Sequence, residues 1–227
     1  SILHQPREPY KQRALIRPIT IREFSMQNNE PSCTVLLPML GISKRHWLKG
    51  DKPHETLVIN GVYALKNDKV LGSYRDHQIL GLTWVDPKAR RGLVDLYTDG
   101  KFEATVSLED PKISIKPRVN NGKAEYSFKV KLIGSLVVSM KQISVTDIER
   151  QSEEAVRKQI KELYDLGVKN QADFLQLEAA LYRKNNREWK MLHDRDQLGL
   201  TPDSLTDIEV SVEIERTGNM KGSTRIQ

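Results

Sequence analysis

The sequence predicts an α+β protein of two consecutive domains, each a mostly antiparallel or mixed sheet covered by helices. Three observations carry this. Ala124, Tyr126, Phe128, Val130 and Leu132 alternate with Glu125, Ser127, Lys129 and Lys131, the period-two pattern of a strand with one dry and one wet face. Ile208, Val210, Val212 and Ile214 alternate in the same way with Glu209, Ser211, Glu213 and Glu215. Between them, Ile148, Ser152, Val156, Ile160 and Leu163 or Tyr164 recur at three- and four-residue steps, so they share one helical face. Glu153, Glu154, Arg157, Lys158, Lys161 and Glu162 fall largely on the other faces. A helix with one narrow apolar stripe must bury it, and the strand 207–216 is its best-matched partner.

In chain order, residues 1–12 read as a polar tail, and Ala14-Leu15-Ile16 as a short strand. Thr20-Ile21-Arg22-Glu23 has the form of a capping box, in which threonine and glutamate each satisfy an amide left free at a helix start. Cys33 to Leu37 is a buried strand ended by Pro38. The stretch 41–55 is charged and irregular, with Trp47 as its large anchor. A hairpin over 57–74 follows, turning at Lys66-Asn67-Asp68-Lys69. Asp76 is placed to cap a short helix containing Ile79, Leu80, Leu82 and Trp84, stopped before Pro87.

Thr98-Asp99-Gly100 is the expected domain junction, dividing the chain into 1–100 and 101–227. In the second part, strands are expected over 104–138 as Ala104 to Leu108, Ile113 to Val119 and Ala124 to Ile133, with Asn120-Asn121-Gly122 as a tight turn. Helices are expected over 147–166, started by Thr146-Asp147-Ile148-Glu149 and closed by a left-handed Gly167, and over 173–192, interrupted at Asn185-Asn186. A polar loop from Asp194 to Thr206 leads into the final strand.

Composition narrows the function classes. The 227 residues are 38% hydrophobic and 29% charged, which is globular rather than disordered. The formal charge is +6. Residues 1–100 hold 15 Lys and Arg against 10 Asp and Glu, and the rest 21 against 20. These basic residues come in twos, such as Lys44-Arg45 and Arg90-Arg91, rather than along one element with interleaved aromatics, so no nucleic-acid partner is expected. No apolar run reaches the ~20 residues that span a bilayer. The single Cys33 excludes an internal disulfide framework. The abrupt opening Ser1-Ile2-Leu3-His4 reads as that of a fragment excised from a longer protein.

Catalytic patterns fail one by one. The glycines give neither G-x-x-x-x-G-K nor G-x-G-x-x-G, and no G-x-S-x-G elbow is present. His4, His46, His54, His77 and His193 lack paired metal-ligand spacing. His193-Asp194-Arg195-Asp196 reads as a polar loop neutralised by its own arginine. Cys33 lies in an apolar run, where a buried and inert thiol is expected. Glu162, Asp165 and Asp173 fit the solvent faces of amphipathic helices better than a carboxylate pair. Trp84 and Trp189 lie in phase with apolar neighbours and are assigned to the core. Trp47, flanked by Lys44, Arg45 and His46, is the exception: these four are the candidate partner contact, the alternative being that Trp47 folds back over the 57–74 hairpin. No catalytic residue, metal site or cofactor site is expected.

Two stretches resemble one family. Ile59-Asn60-Gly61-Val62-Tyr63-Ala64-Leu65-Lys66-Asn67-Asp68-Lys69-Val70-Leu71-Gly72, with Gly81-Leu82-Thr83-Trp84-Val85, is similar to the hairpin-helix "G-x-A-V-F-K-x-D-K-L-V-G … G-L-L-W-L" of the spore-germination Ger(x)C proteins. The long helix, Glu188-Trp189-Lys190 and the closing Ile214-Glu215-Arg216-Thr217-Gly218 resemble that family's ending. The chain departs from the pattern at Tyr63 or Leu65, where phenylalanine is usual, and at Phe174-Leu175-Gln176-Leu177, where "F-G-x-G" is common. The resemblance, over about 15 to 218, implies a C subunit of a nutrient germinant receptor. It implies a lipoprotein on the outer face of the spore inner membrane, anchored through a lipidated N-terminal cysteine outside this chain. It further implies membrane-embedded A and B subunits as partners, which this subunit would hold or couple without enzymatic activity. The alternative is an extracytoplasmic domain that binds the germinant, a small molecule, directly.

Overall fold

The computed structural model describes residues 16–43, 48–49, 52–53, 56–140 and 143–217. Helix α1 (Ile21–Asn28) opens with the expected capping box. Thr20 Oγ1 accepts the Glu23 amide at 3.1 Å, and Glu23 accepts the Thr20 amide at 3.0 Å. Strand β1 (Val35–Ser43) then runs through Pro38 rather than ending there. It lies at the edge of its sheet, where a residue without an N–H is tolerated, and a bulge follows at Met39/Leu40. The short strands β2 (Leu48–Lys49) and β3 (Lys52–Pro53) pair with each other.

Strands β4 (Thr56–Lys66) and β5 (Lys69–Arg75) form the expected hairpin. They complete an antiparallel sheet in the order β1-β4-β5. Asn67 and Asp68 turn it with φ of 51° and 60°, the left-handed pair that suits a twisted hairpin. In place of one capped helix, Asp76–Gln78 form a single 3-10 turn, and the short α2 (Leu82–Val85) follows. Trp84 on α2 is buried, as its phase predicts, and its Nε1 donates to Gln159 Oε1 at 2.6 Å.

The second sheet has the order β6-β7-β8-β9. Strands β6 (Arg91–Thr98), β7 (Lys101–Asn120) and β8 (Lys123–Ser139) are antiparallel neighbours, and β9 (Leu205–Thr217) pairs parallel to β8. The expected junction at residue 100 is in fact a hairpin turn, Asp99-Gly100, between hydrogen-bonded β6 and β7. A boundary there would cut the sheet between two paired strands. The two strands expected over 104–119 are one, bulged between Glu109 and Lys112. Pro111 cannot donate to a ladder, and the bulge around Asp110 (φ 51°) absorbs it.

Helix α3 (Val145–Asn170) covers this sheet with the predicted stripe, burying Ile148, Ser152, Val156, Ile160, Leu163 and Tyr164. Its ends differ from expectation. Ser144, not Thr146, is the cap, accepting the Asp147 amide at 3.1 Å. The helix continues past Gly167 and closes at Gln171, which takes the left-handed conformation at φ 55°. Gly167 serves close packing instead, because a Cβ there would lie 2.4 Å from the Ala172 carbonyl oxygen. Helices α4 (Leu177–Lys184) and α5 (Asn186–Asp194) replace the span 173–192, parted at Asn185 as the asparagine pair suggests.

Along the open edge of β9, α3 supplies hydrogen-bond partners at one-turn steps. Glu149 accepts the Ile214 amide at 3.0 Å, Glu153 accepts that of Val212 at 3.0 Å, and Arg157 Nε donates to the Ile208 carbonyl at 3.1 Å. One core joins both sheets: Val62, Ala64 and Tyr74 of the first pack with Val94, Val106, Phe128 and Val130 of the second, and with Ile160 and Phe174. The segment before α4 ties them further. Gln176 accepts the Thr34 amide at 3.2 Å and donates to the Thr34 carbonyl at 2.6 Å, continuing the β1 edge with a side chain.

Candidate functional site

The sequence-predicted contact Lys44-Arg45-His46-Trp47 lies outside the described residues. It joins β1 to β2, and the described residues before it include exposed Leu40 and Ile42. The other candidates are placed by the structure. Glu162 and Asp165 are on the solvent side of α3, as expected. His193 lies in the last turn of α5 rather than in a loop, and stacks on Trp189 with ring centroids 4.8 Å apart. Trp189 is half-buried and donates Nε1 to Ser32 Oγ at 2.8 Å. Cys33 is buried against Gln176 Oε1 at 3.3 Å, and burial pushes its thiol up to about 11.

Asp173 departs from expectation. It is 1% exposed, not on a solvent face. Its amide donates to Thr34 Oγ1 at 3.2 Å, and its Oδ2 accepts the Glu178 amide at 2.8 Å. That bond fixes the carboxylate across the start of α4. Oδ1 is buried without a partner. Glu178, also buried, is paired with Lys66 Nζ at 2.7 Å. Burial first, and the neighbouring Glu178 second, push the Asp173 carboxyl up to about 7.

These residues line a cavity of about 480 Å³ between the β4–β5 turn, the end of α3 and the loop after α5. Lys66, Asn67, Lys69 and Leu71 form one wall. Gln171, Asp173 and Glu178 form the second, and Asp196, Leu198 and Leu200 close the third. A smaller cavity of about 250 Å³ lies between Ile16, Cys33, Leu36, Phe174 and Arg183. Sequence reasoning missed the larger one because its carboxylates are five positions apart and meet Lys66 only through the fold. The one local signal was Asp173 at the start of an apolar helix.

Among the described residues, no group of three or more His, Cys, Asp or Glu side chains is placed to hold a metal ion. Among the same residues, no helix is long and apolar enough to cross a membrane.

Fold and site define an α+β protein of two sheets on a shared core, with a built pocket beside the hairpin. Residues 60–218, well over half of the chain, match the model of the family described as "Spore germination B3/ GerAC like, C-terminal". The chain belongs to this spore-germination family. A solved structure titled "Crystal Structure of the GerBC protein" is similar, with a TM-score of 0.66 and 17% identity over 88% of this chain. That likeness confirms the α+β architecture. The match covers 62% of the GerBC chain, so this chain spans less than two thirds of it. No curated protein matches this sequence.

Proposed function

We propose that this chain acts in a nutrient germinant receptor as its non-enzymatic C subunit, holding or coupling the membrane-embedded A and B subunits. Attachment is by an N-terminal lipid anchor on the outer face of the spore inner membrane. The observation that carries this reading is the family match, which runs from β4 to the end of β9 and so takes in strands of both larger sheets. The disposition of polar groups agrees with it. Glu149, Glu153, Gln159 and Gln176 are used to join structural elements, and the thiol of Cys33 is buried.

The proposed partner contact is Lys44, Arg45, His46 and Trp47. Leu40 and Ile42, which precede it closely in the chain, are 47% and 67% exposed. An indole among cations has the make-up of an interface anchor.

The test places a photo-crosslinking amino acid at position 47 of the full-length protein in spores. Cross-linked peptides from the A or B subunit are expected. Trp47→Ala is expected to slow germination while thermal stability stays that of the parent. Cross-links to neither subunit, together with normal germination of Trp47→Ala spores, would overturn the assignment.

A further inference from the structure

We infer that the free edge of β6 is a self-association site, at which a second copy of this chain pairs its own β6 antiparallel and joins the two four-stranded sheets into one. The inference stands on that edge alone and is independent of the receptor reading. The first observation is a contrast between the two ends of the sheet. At β9, Glu149, Glu153 and Arg157 meet the outward backbone groups. At β6, among the described residues, no group bonds the side turned away from β7. Edges are ordinarily capped, bulged or shortened, because bare amides and carbonyls recruit another strand. From Arg91 to Leu96, β6 pairs with β7 without a shift in register, so this stretch is an unbroken template. The second observation is what stands on it: Leu93 and Tyr97 are 59% and 57% exposed.

Charge complementarity selects the occupant and its register. Arg91, Leu93 and Asp95 share the exposed face of the strand, whereas Val94 and Leu96 are buried on the other. Arg91 and Asp95 lie about 13 Å apart along the strand with Leu93 between them, so they do not neutralise each other within one chain. Among the described residues no carboxylate pairs with Arg91, and Asp95 accepts the Thr105 hydroxyl at 2.6 Å. Antiparallel pairing about a two-fold axis sets like faces together, so each position of the axis gives one register. An axis at Asp95 sets that carboxylate against its own copy, which is repulsive. One at Val94 sets Asp95 against Leu93 and Arg91 against Tyr97. An axis at Leu93 sets leucine against leucine and each Arg91 opposite the other copy's Asp95. Of the three, this register alone pairs both charges and covers the exposed leucine. The stretch Arg91 to Asp95 of each copy then shares about four to six backbone hydrogen bonds. Such a contact is smaller than a permanent interface, so the dimer is reversible.

The experiment is sedimentation equilibrium of the 227-residue chain between ~1 and ~300 µM, the range for so small an interface. A concentration-dependent equilibrium between monomer and dimer is expected. Asp95→Arg or Arg91→Asp alone sets like charges opposite each other twice per dimer and should weaken association at least ~10-fold. The double variant Arg91→Asp/Asp95→Arg exchanges the two charges and should restore association to within ~3-fold of the parent. Both side chains are exposed, and restoration by a second change does not come from a chain that merely folds poorly. A parent that stays monomeric throughout overturns the inference. Dimerisation that Asp95→Arg leaves unchanged, or that the double exchange fails to restore, overturns it as well.

Discussion

Glu153, on the covering helix, accepts the backbone amide of Val212 in the last strand across 3.0 Å. With Glu149 one turn before and Arg157 one turn after, it serves an edge that would otherwise present open amides and carbonyls. Each such hydrogen bond contributes about 1 kcal/mol, more where the acceptor is charged. The Glu149→Ala/Glu153→Ala double variant should therefore lose about 2–3 kcal/mol by urea unfolding. It should also associate through the bared strand, visible as light scattering. Glu154→Ala, whose carboxylate meets only the exposed Arg150 at 3.0 Å, should stay within about 0.5 kcal/mol of the parent. Equal midpoints for the two variants would show that the edge does not depend on the helix.

Trp189 is the second test. Its ring meets Tyr182 edge-on at 4.9 Å, stacks on His193, and bonds Ser32 far upstream in the chain. Trp189→Ala should cost about 3 kcal/mol, and Trp189→Phe, which keeps a ring and loses the bond to Ser32, about 1 kcal/mol. A Trp189→Ala midpoint equal to that of the parent would place the indole outside the packed structure.

Asp173 makes stability depend on pH with a definite sign. Its carboxyl is raised to about 7 in the folded chain, against about 4 when unfolded. Between those values the folded chain holds a proton that the unfolded chain has released. The contribution of this group therefore falls as pH rises through that window and is level above it. Lys66 and Glu178 are the charged groups beside it. Subtracting the Asp173→Asn curve from the parent between about pH 5 and pH 8 should leave that falling slope. Glu23 acts outside this window: Lys88, the Thr20 amide and Arg17 hold it well below the usual carboxylate range. Its contribution is present above the ordinary glutamate value and lost only in stronger acid. A flat difference curve would mean that Asp173 is ionised and solvated in the folded chain.

Cys33 should be slow toward maleimide. Burial raises its thiol to about 11, so little thiolate is present at neutral pH. Labelling should become fast in urea. Rapid labelling of the folded chain would contradict the packing of Cys33 beneath Gln176.

At physiological salt, the chain should stay in the supernatant when spun with anionic liposomes. Each basic residue near such a surface contributes about 1 kcal/mol, and a scattered set cannot all reach one plane. Pelleting that salt reverses would instead reveal a lipid-binding face.

The sequence pattern carried the fold wherever one face of an element is dry. Phe128, Val130 and Val212 announced their strands, and Ile148, Val156 and Ile160 their helix, because burial imposes a period that composition displays. Ends were less legible. Thr146 and Gly167 have the right chemistry for caps, yet Ser144 and Gln171 take those places, since packing against Ala172 decides how far the helix runs. The junction at Gly100 was misread because a tight turn within a hairpin and a linker share the same residues. The cavity was hidden for another reason: Lys66 and Glu178 lie 112 positions apart. Nothing periodic connects them.

The parallel pairing of β8 with β9 governs when the molecule can be finished. Lys129 and Glu209 face each other although 80 positions separate them. A ribosome thus delivers the long hairpin and all the described helices before the strand that completes their sheet. Until then the flank of β8 is unpaired, and Glu149, Glu153 and Arg157 have no strand to hold. Closing so long a loop is entropically dear and late, and pairing of this kind is slow. Emergence of the last strand, rather than synthesis of the core, is the event that starts the last folding step. A message truncated before Leu205 would yield a protein with most of its apolar residues and a permanently open sheet.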